Sequence, residues 1–316
     1  MYLSRKAGAK MDKVINTDWT SLLKLFPPHW QDSLYHLDCL EIRARTGKPV
    51  QIVQSGKEIM LPIIASNQDI QHLVSAFSGS SLYAFEDELR QGYITLPGGH
   101  RVGFAGKALL DPKGHIRGLK HISTICLRIA KSVEGCADRL WRELLDAEGC
   151  PYHTLVISPP QAGKTTLLRD MARQLSDKGQ RVCIIDERSE IAGCYNGRPQ
   201  LDVGLRTDVL DGCPKAEGML MALRALSPDV IVTDEIGSAE DASAIEEALN
   251  SGVRVMASAH GATYEEVAAR PNLSTLLQRG LFQRVVILSN RRGPGTVEYI
   301  GGVFSRQKGE HHAQHS

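Results

Sequence analysis

Aromatic residues are scarce, at 5% of the 316 positions. A single-strand nucleic-acid platform stacks bases on aromatic rings interleaved with cations. The basic segment 90–131 lacks that interleaving, so nucleic acid is not an expected partner. Long apolar runs are missing as well. No stretch approaches the ~18 consecutive apolar residues of a spanning helix, and the start, MYLSRKAGAKMDKVINTDW, has no apolar core of a secretory signal. Cysteine pairs are absent too. Cys39, Cys126, Cys136, Cys150, Cys183, Cys194 and Cys213 form no CxxC and no zinc-like Cys/His spacing. Reduced thiols in a cytosol are the expectation.

What is there is an ordinary globular composition with a concealed asymmetry. The chain holds 37 Lys+Arg against 36 Asp+Glu, a formal charge of +1. Residues 1–133 hold 17 basic and 11 acidic residues (+6), and residues 134–316 hold 20 and 25 (−5). A chain of this length fits roughly two domains of 100–200 residues, and the charge split marks the same division.

The two halves also differ in rhythm. Up to about residue 133, short alternating runs (LEIRAR 40–45, PVQIV 49–53, YITL 93–96, HRVGFAG 100–106, STICLRIA 123–130) alternate with Gly-rich turns. They predict a small α+β domain with hairpins, including a helix over 67–78 that carries Ile70, Leu73 and Val74 on one face. Residues 134–152 read as a linker with a short helix. From residue 153 to 306 strand candidates (154–158, 181–186, 229–234, 254–259, 284–289) alternate with helical stretches. That is the pattern of an α/β parallel sheet built from crossover units, with helices on both faces. A hairpin turning at Gly293-Pro294-Gly295 closes it, and the apolar-poor tail 307–316, with His311, His312 and His315, is expected to be disordered.

The chemistry concentrates in the second half. Ser158-Pro159-Pro160-Gln161-Ala162-Gly163-Lys164-Thr165-Thr166 follows GxxxxGK[ST] except for Ser158 in place of the first glycine. A strand leads in and a helix leads out, as a phosphate loop requires. Backbone N–H groups at a helix N-terminus cradle phosphate, Lys164 would meet the β- and γ-phosphates, and Thr165 would ligate Mg²⁺. ATP and Mg²⁺ are therefore the expected cofactors.

Downstream, the apolar strand PDVIVT ends in Asp234 and Glu235, where a neighbouring strand would bring one carboxylate to the Mg²⁺ shell and another to the attacking water. Between the two, VCIIDERSEI carries Asp186, Glu187 and Glu190, three acids that repel one another unless cations sit nearby. His260, in VMASAHG, ends the next strand, where an imidazole can hydrogen-bond a γ-phosphate.

The order phosphate loop, acidic box (IIDERSEI), carboxylate strand (PDVIVTDEIG) and His box (SGVRVMASAHG) resembles the secretion-type ATPases, the motors of type II and type IV secretion and of type IV pili. Within that superfamily, EIRARTGKPV, GGHRVGFAGK, ISPPQAGKTTLLRD, DERSEIAGC and SNRRGPGTVE resemble the stage III sporulation AA family of endospore-forming bacteria. The resemblance implies a RecA-like P-loop domain behind the small N-terminal domain. It makes Glu190, Glu235 and His260 the catalytic candidates, with Asp186 and Glu187 as the acidic pair before Glu190. Asp234 stands where these motors usually carry a small residue, so its Mg²⁺ role rests on the general P-loop pattern. Gly261 stands where they commonly carry threonine. Arg101 and Arg128 are candidates for the N-terminal arginines that reach nucleotide. The resemblance also implies a homo-oligomer, a hexameric ring, in the mother-cell cytoplasm. There it would energise a membrane-spanning channel to the forespore through membrane-protein partners. The residues alone leave open a nucleic-acid-dependent P-loop ATPase or a regulatory ATP-binding scaffold.

Overall fold

A computed structural model describes residues 13–16, 19–54, 56–79 and 92–302; the tail histidines lie outside the described residues. The chain forms two compact units, one of residues 1–133 with 192–201, the other of residues 134–191 with 202–316.

In the first unit, β1 (Lys13–Asn16) pairs with β8 (Lys131–Glu134). Two short helices, α1 (Trp19–Leu23) and α2 (Pro28–Tyr35), precede β2 (Glu41–Arg45), β3 (Pro49–Gln54) and β4 (Lys57–Ile64). Helix α3 (Asn67–Phe77), then β5 (Tyr93–Thr95), β6 (Arg101–Leu110) and β7 (Ile116–Arg128) follow, and the strands form a sheet in the order β4-β3-β2-β7-β6-β5. Helix α3 starts where Ser66 accepts the Asp69 N–H and Asp69 returns a bond to the Ser66 N–H, a reciprocal cap. Its buried face of Ile70, Leu73, Val74 and Phe77 joins Ile42, Ile52, Ile125 and Leu127 of the sheet in one core. Phe77 meets Phe26 edge-on at 5.8 Å.

Strands β6 and β7 run on past this core as a ribbon. Gly106 marks where it leaves: a Cβ there would stand 2.7 Å from the Lys120 carbonyl oxygen, and the neighbouring His121 has φ 50°. Beyond that irregularity Lys107 pairs with Lys120, Ala108 with Leu119, Leu109 with Gly118 and Leu110 with Ile116.

His100 is buried in the first unit, and its Nδ1 accepts the Ala130 N–H at 3.1 Å. Burial pushes its pKa from 6.5 down to about 4. Burial and then Arg254 do the same to His153 of the second unit, also to about 4. Between those values the unfolded chain binds more protons than the folded one, so stability is lost as pH falls from 6.5 towards 4. The melting temperature should drop through that window, and more shallowly in His100→Gln. Equal slopes for the two proteins would contradict this account.

The second unit is built on seven strands in the order β11-β10-β12-β13-β9-β14-β15. These are β9 (Thr154–Ser158), β10 (Val182–Asp186), β11 (Thr207–Asp211), β12 (Val230–Thr233), β13 (Arg254–His260), β14 (Arg284–Ser289) and β15 (Thr296–Gly301). All pairings are parallel except β14 with β15. Strands β9, β10 and β12 are buried at every residue, as a sheet covered on both faces requires. Residues 134–152, with α4 (Trp141–Leu144), pack into this unit: the Ala137 N–H reaches the Asp170 carboxylate at 2.9 Å. The α/β reading of the sequence holds. It overlooked four strands: β1 and β8, which pair in a small sheet of their own, and β4 and β11, which are edges of the two larger sheets. β4 contains Pro62, which an edge tolerates, and the TDVLD of β11 is too polar to read as a buried strand.

Candidate functional site

The site grows from the C-terminal ends of the central strands of the second unit. Strand β9 ends at Ser158, and the loop 159–163 leads into α5 (Lys164–Asp177). Gly163 caps the helix at φ 89°, in the left-handed region, and a Cβ there would meet the Gly295 nitrogen at 3.1 Å. Glycine is needed at that position on both counts. Ser158, by contrast, is not among the positive-φ residues, so nothing in its backbone demands the glycine that the motif usually has. Strand β9 simply ends one residue late, in a serine whose Oγ bonds the Pro159 carbonyl at 2.9 Å.

The hairpin β14–β15 buttresses the loop. The Gly295 N–H donates to the Ala162 carbonyl at 3.0 Å, and the Asn290 amide reaches the Pro160 carbonyl at 3.3 Å. With three carbonyls of the loop turned to protein donors, its shape is set without a ligand.

Strand β12 ends at Thr233, and the next two residues are the acids. Glu235 has φ 43°, costly for a residue with a Cβ. It is held there by its N–H to Ser258 Oγ at 3.0 Å and by the Ile236 N–H to the Ser258 carbonyl at 2.8 Å. The twist presents its carboxylate to Lys164 Nζ at 2.8 Å and to Arg188 Nη1 at 3.1 Å. Burial opposes ionisation of Glu235, but the bond and charge of Lys164, then Arg188, outweigh it and hold the carboxyl below its ordinary value.

Asp234 has the opposite character. It is buried, and its Oδ2 has no hydrogen-bond partner among the described residues. Burial first, then Asp186 and Glu190, push its pKa up to about 7, with Lys215 pulling the other way. A carboxylate in such a place lacks a cation or a donor. A divalent ion beside the phosphate loop fits that need.

The acidic box divides by role. Asp186, fully buried at the end of β10, accepts the N–H groups of Glu190 at 2.7 Å and Ile191 at 3.0 Å. It folds the turn. Glu187 pairs with Lys215 at the start of α6 (Lys215–Ala225), and Ser189, at φ 52°, donates its hydroxyl to Asp211. Arg169, buried on α5, donates to the carbonyls of Ile191 and, at 2.8 Å, Glu190. The phosphate-loop helix thus fixes the backbone that carries Glu190.

His260, exposed, ends β13 in register with Ser158 of β9, which puts it beside the phosphate loop. The Gly261 N–H then bonds the Ser158 carbonyl at 3.0 Å. A Cβ on Gly261 would come within 2.6 Å of Val267 Cγ2, a fully buried branched side chain. That is the physical reason glycine replaces the threonine that the resemblance leads one to expect. A threonine there requires the Val267 side chain to shift.

The second unit thus brings together Lys164, Asp186, Glu187, Glu190, Asp234, Glu235 and His260 at one end of its sheet. Thr165 and Thr166 follow Lys164 in the first turn of α5. Arg101 and Arg128 belong to the first unit, opposite each other across the β6–β7 ladder. Arg101 stacks on Tyr93 at 4.4 Å, and Arg128 lies 3.4 Å from the Glu41 carboxylate.

Sequence reasoning missed Arg169, Arg188 and Lys215, the cations that offset the acids. Only Arg169 left a signal, as a charge within the leucine-rich face of TTLLRDMARQL.

A model of the family described as "Sporulation stage III, protein AA" matches residues 22–311. The stage III sporulation protein AA of Bacillus subtilis (strain 168) is 44% identical over 283 residues, covering 86% of this chain and 91% of that protein. Among solved structures, the ATPase DotB of Legionella pneumophila superposes with a TM-score of 0.57 at 20% identity, covering 83% of this chain and 76% of that one. The pilus retraction motor PilT with bound ADP superposes with a TM-score of 0.55 at 14% identity, covering 81% and 76%. At these identities the two structures speak for the fold alone.

Proposed function

The chain belongs to the family of sporulation stage III protein AA, and on that footing we propose that it is a Mg²⁺-dependent ATPase. It would turn in a homo-oligomeric ring, a hexamer, and energise a membrane-spanning complex during sporulation. The observation that carries the catalytic part is the Lys164–Glu235 ion pair at 2.8 Å beside Asp234, whose buried Oδ2 has no hydrogen-bond partner among the described residues. An unliganded phosphate-binding lysine is stable in a buried place, such as that of Lys164, only if an acid holds it. An adjacent buried acid with an unbonded oxygen is best explained by a cation that comes with the nucleotide.

The chain's own groups divide the work accordingly. Lys164 and the N–H groups at the head of α5 bind the phosphates and stabilise the charge that develops on them. Thr165 and Asp234 would hold the Mg²⁺, whose chemistry is to neutralise phosphate charge. Glu235, its carboxylate ionised, would leave Lys164 and accept a proton from, or orient, the attacking water, with Glu190 as the second carboxylate within the turn. His260 would contact the γ-phosphate from the end of β13. The work on a membrane complex, on the mother-cell side, through membrane-protein partners, is the role the family suggests. No helix among the described residues is long and apolar enough to cross a membrane.

Phosphate release by the purified chain tests the reading. It should require Mg²⁺ and stop with a chelator, and a non-hydrolysable ATP analogue should shift the chain to a ring-sized species. A strict monomer that binds no analogue at high concentration would overturn both halves.

A further inference from the structure

The β6–β7 ribbon is unused by the proposed reaction and has an unusual surface. Every residue from Ala105 to Leu110 and from Pro112 to Arg117 is exposed. Three of them are large and apolar: Leu109 at 39%, Leu110 at 61% and Ile116 at 52% exposure. Leu110 and Ile116 face each other across the last pair of the ladder. Around them stand Lys107, Lys113, Arg117 and Lys120, all exposed, none in an ion pair among the described residues. The single acid, Asp111, is turned to the N–H groups of Lys113 and His115 and to the His115 ring. The cations lie within three or four residues of the apolar pair, about 10 Å along a strand.

We propose that this ribbon is a membrane-surface contact, binding anionic phospholipid through its four cations and seating Leu110 and Ile116 at the headgroup boundary. Interfacial segments combine these two signals, because neither a few cations nor a small apolar patch anchors a protein alone. A protein partner fits less well. A specific interface needs about 800 Å² on each side, and a two-stranded ribbon of about six residues per strand offers little of that. A bilayer accepts a small convex patch as it is. Nucleic acid would use the cations but has no use for the exposed Leu110 and Ile116, and residues 107–120 contain no Phe, Tyr or Trp to stack on bases. The inference stands apart from the ATPase reading, since it uses none of the site residues.

Cosedimentation of the full chain with vesicles of equal parts phosphatidylglycerol and phosphatidylcholine tests it, against phosphatidylcholine alone and against duplex DNA. The chain should pellet with the anionic vesicles only, and less so as salt rises. Leu110→Ser with Ile116→Ser should weaken binding about tenfold, and Lys107→Gln with Lys120→Gln about thirtyfold. Both variants should keep the melting temperature, because every changed side chain is exposed. Failure of the wild-type chain to pellet, or pelleting that survives both variants, overturns the proposal. So does an apolar variant that alters self-association while vesicle binding stays intact, or a charge variant that loses DNA while the apolar variant binds vesicles as before.

Discussion

Lys164→Ala is expected to abolish measurable ATP binding, a loss of about a hundredfold or more in affinity. Lys164 Nζ stands at the head of α5, and charge-assisted bonds to phosphate each contribute about 1.5–3 kcal/mol. The substitution acts twice. It removes the cation, and it leaves the Glu235 carboxylate facing the loop with only Arg188 to offset it. The remaining helix N-terminus attracts phosphate more weakly. Titration with a fluorescent ATP analogue measures the effect, and a melting curve establishes that the variant is folded. Affinity within threefold of the wild type would remove Lys164 from the phosphate site and with it the ATPase reading.

Glu235→Gln should produce the reverse division, with turnover lower by about 10²–10⁴ and nucleotide affinity unchanged or higher. The sign of the second half follows from the ion pair. In the nucleotide-free chain Glu235 competes with phosphate for Lys164, and its carboxyl is held ionised to do so. A neutral amide of the same shape competes poorly, so Lys164 is released to the phosphates. Single-turnover phosphate release and nucleotide titration on the same sample separate the two halves. Glu190→Gln run alongside assigns the principal carboxylate: the variant with the deeper loss of turnover at full binding identifies it. Wild-type turnover in Glu235→Gln would leave its contact with Lys164 purely structural.

The sequence made most of the second unit legible, because buried parallel strands are continuous apolar runs and the candidate site residues follow closely on their ends. TLVIS, VCIID and DVIVT could hardly be read otherwise, and the acids that follow them mark the edge where a ligand binds. Edge strands were the losses, since Pro62 in β4 and the aspartates of β11 are permitted only by a free side of the sheet, which a single segment does not reveal. The acid repulsion in DERSEI was legible as a demand for cations; their identity was not. Lys215 comes from a helix 25 residues beyond Glu190 and Arg169 from one 21 residues before it, and only folding brings them to the box. Likewise, the departures from the family pattern at Ser158 and Gly261 looked like weaknesses in one dimension. In three, the first is a conformation any residue can adopt and the second a collision with Val267 avoided.

The stretch 192–201 departs one residue after the Ile191 that closes the acidic box and is counted with the first unit. A Cβ on its Gly193 would stand 3.1 Å from the Gly99 Cα, its Gln200 accepts the Gly98 N–H at 3.0 Å, and Cys194 and Leu201 are buried. Severing the chain at residue 133 would therefore not yield two intact pieces. A fragment starting at Glu134 would carry ten residues of somebody else's interior, with Cys194 and Leu201 laid open to water and to aggregation. Exchanging the first unit for another fold would therefore also require rewriting the loop that leaves the acidic box.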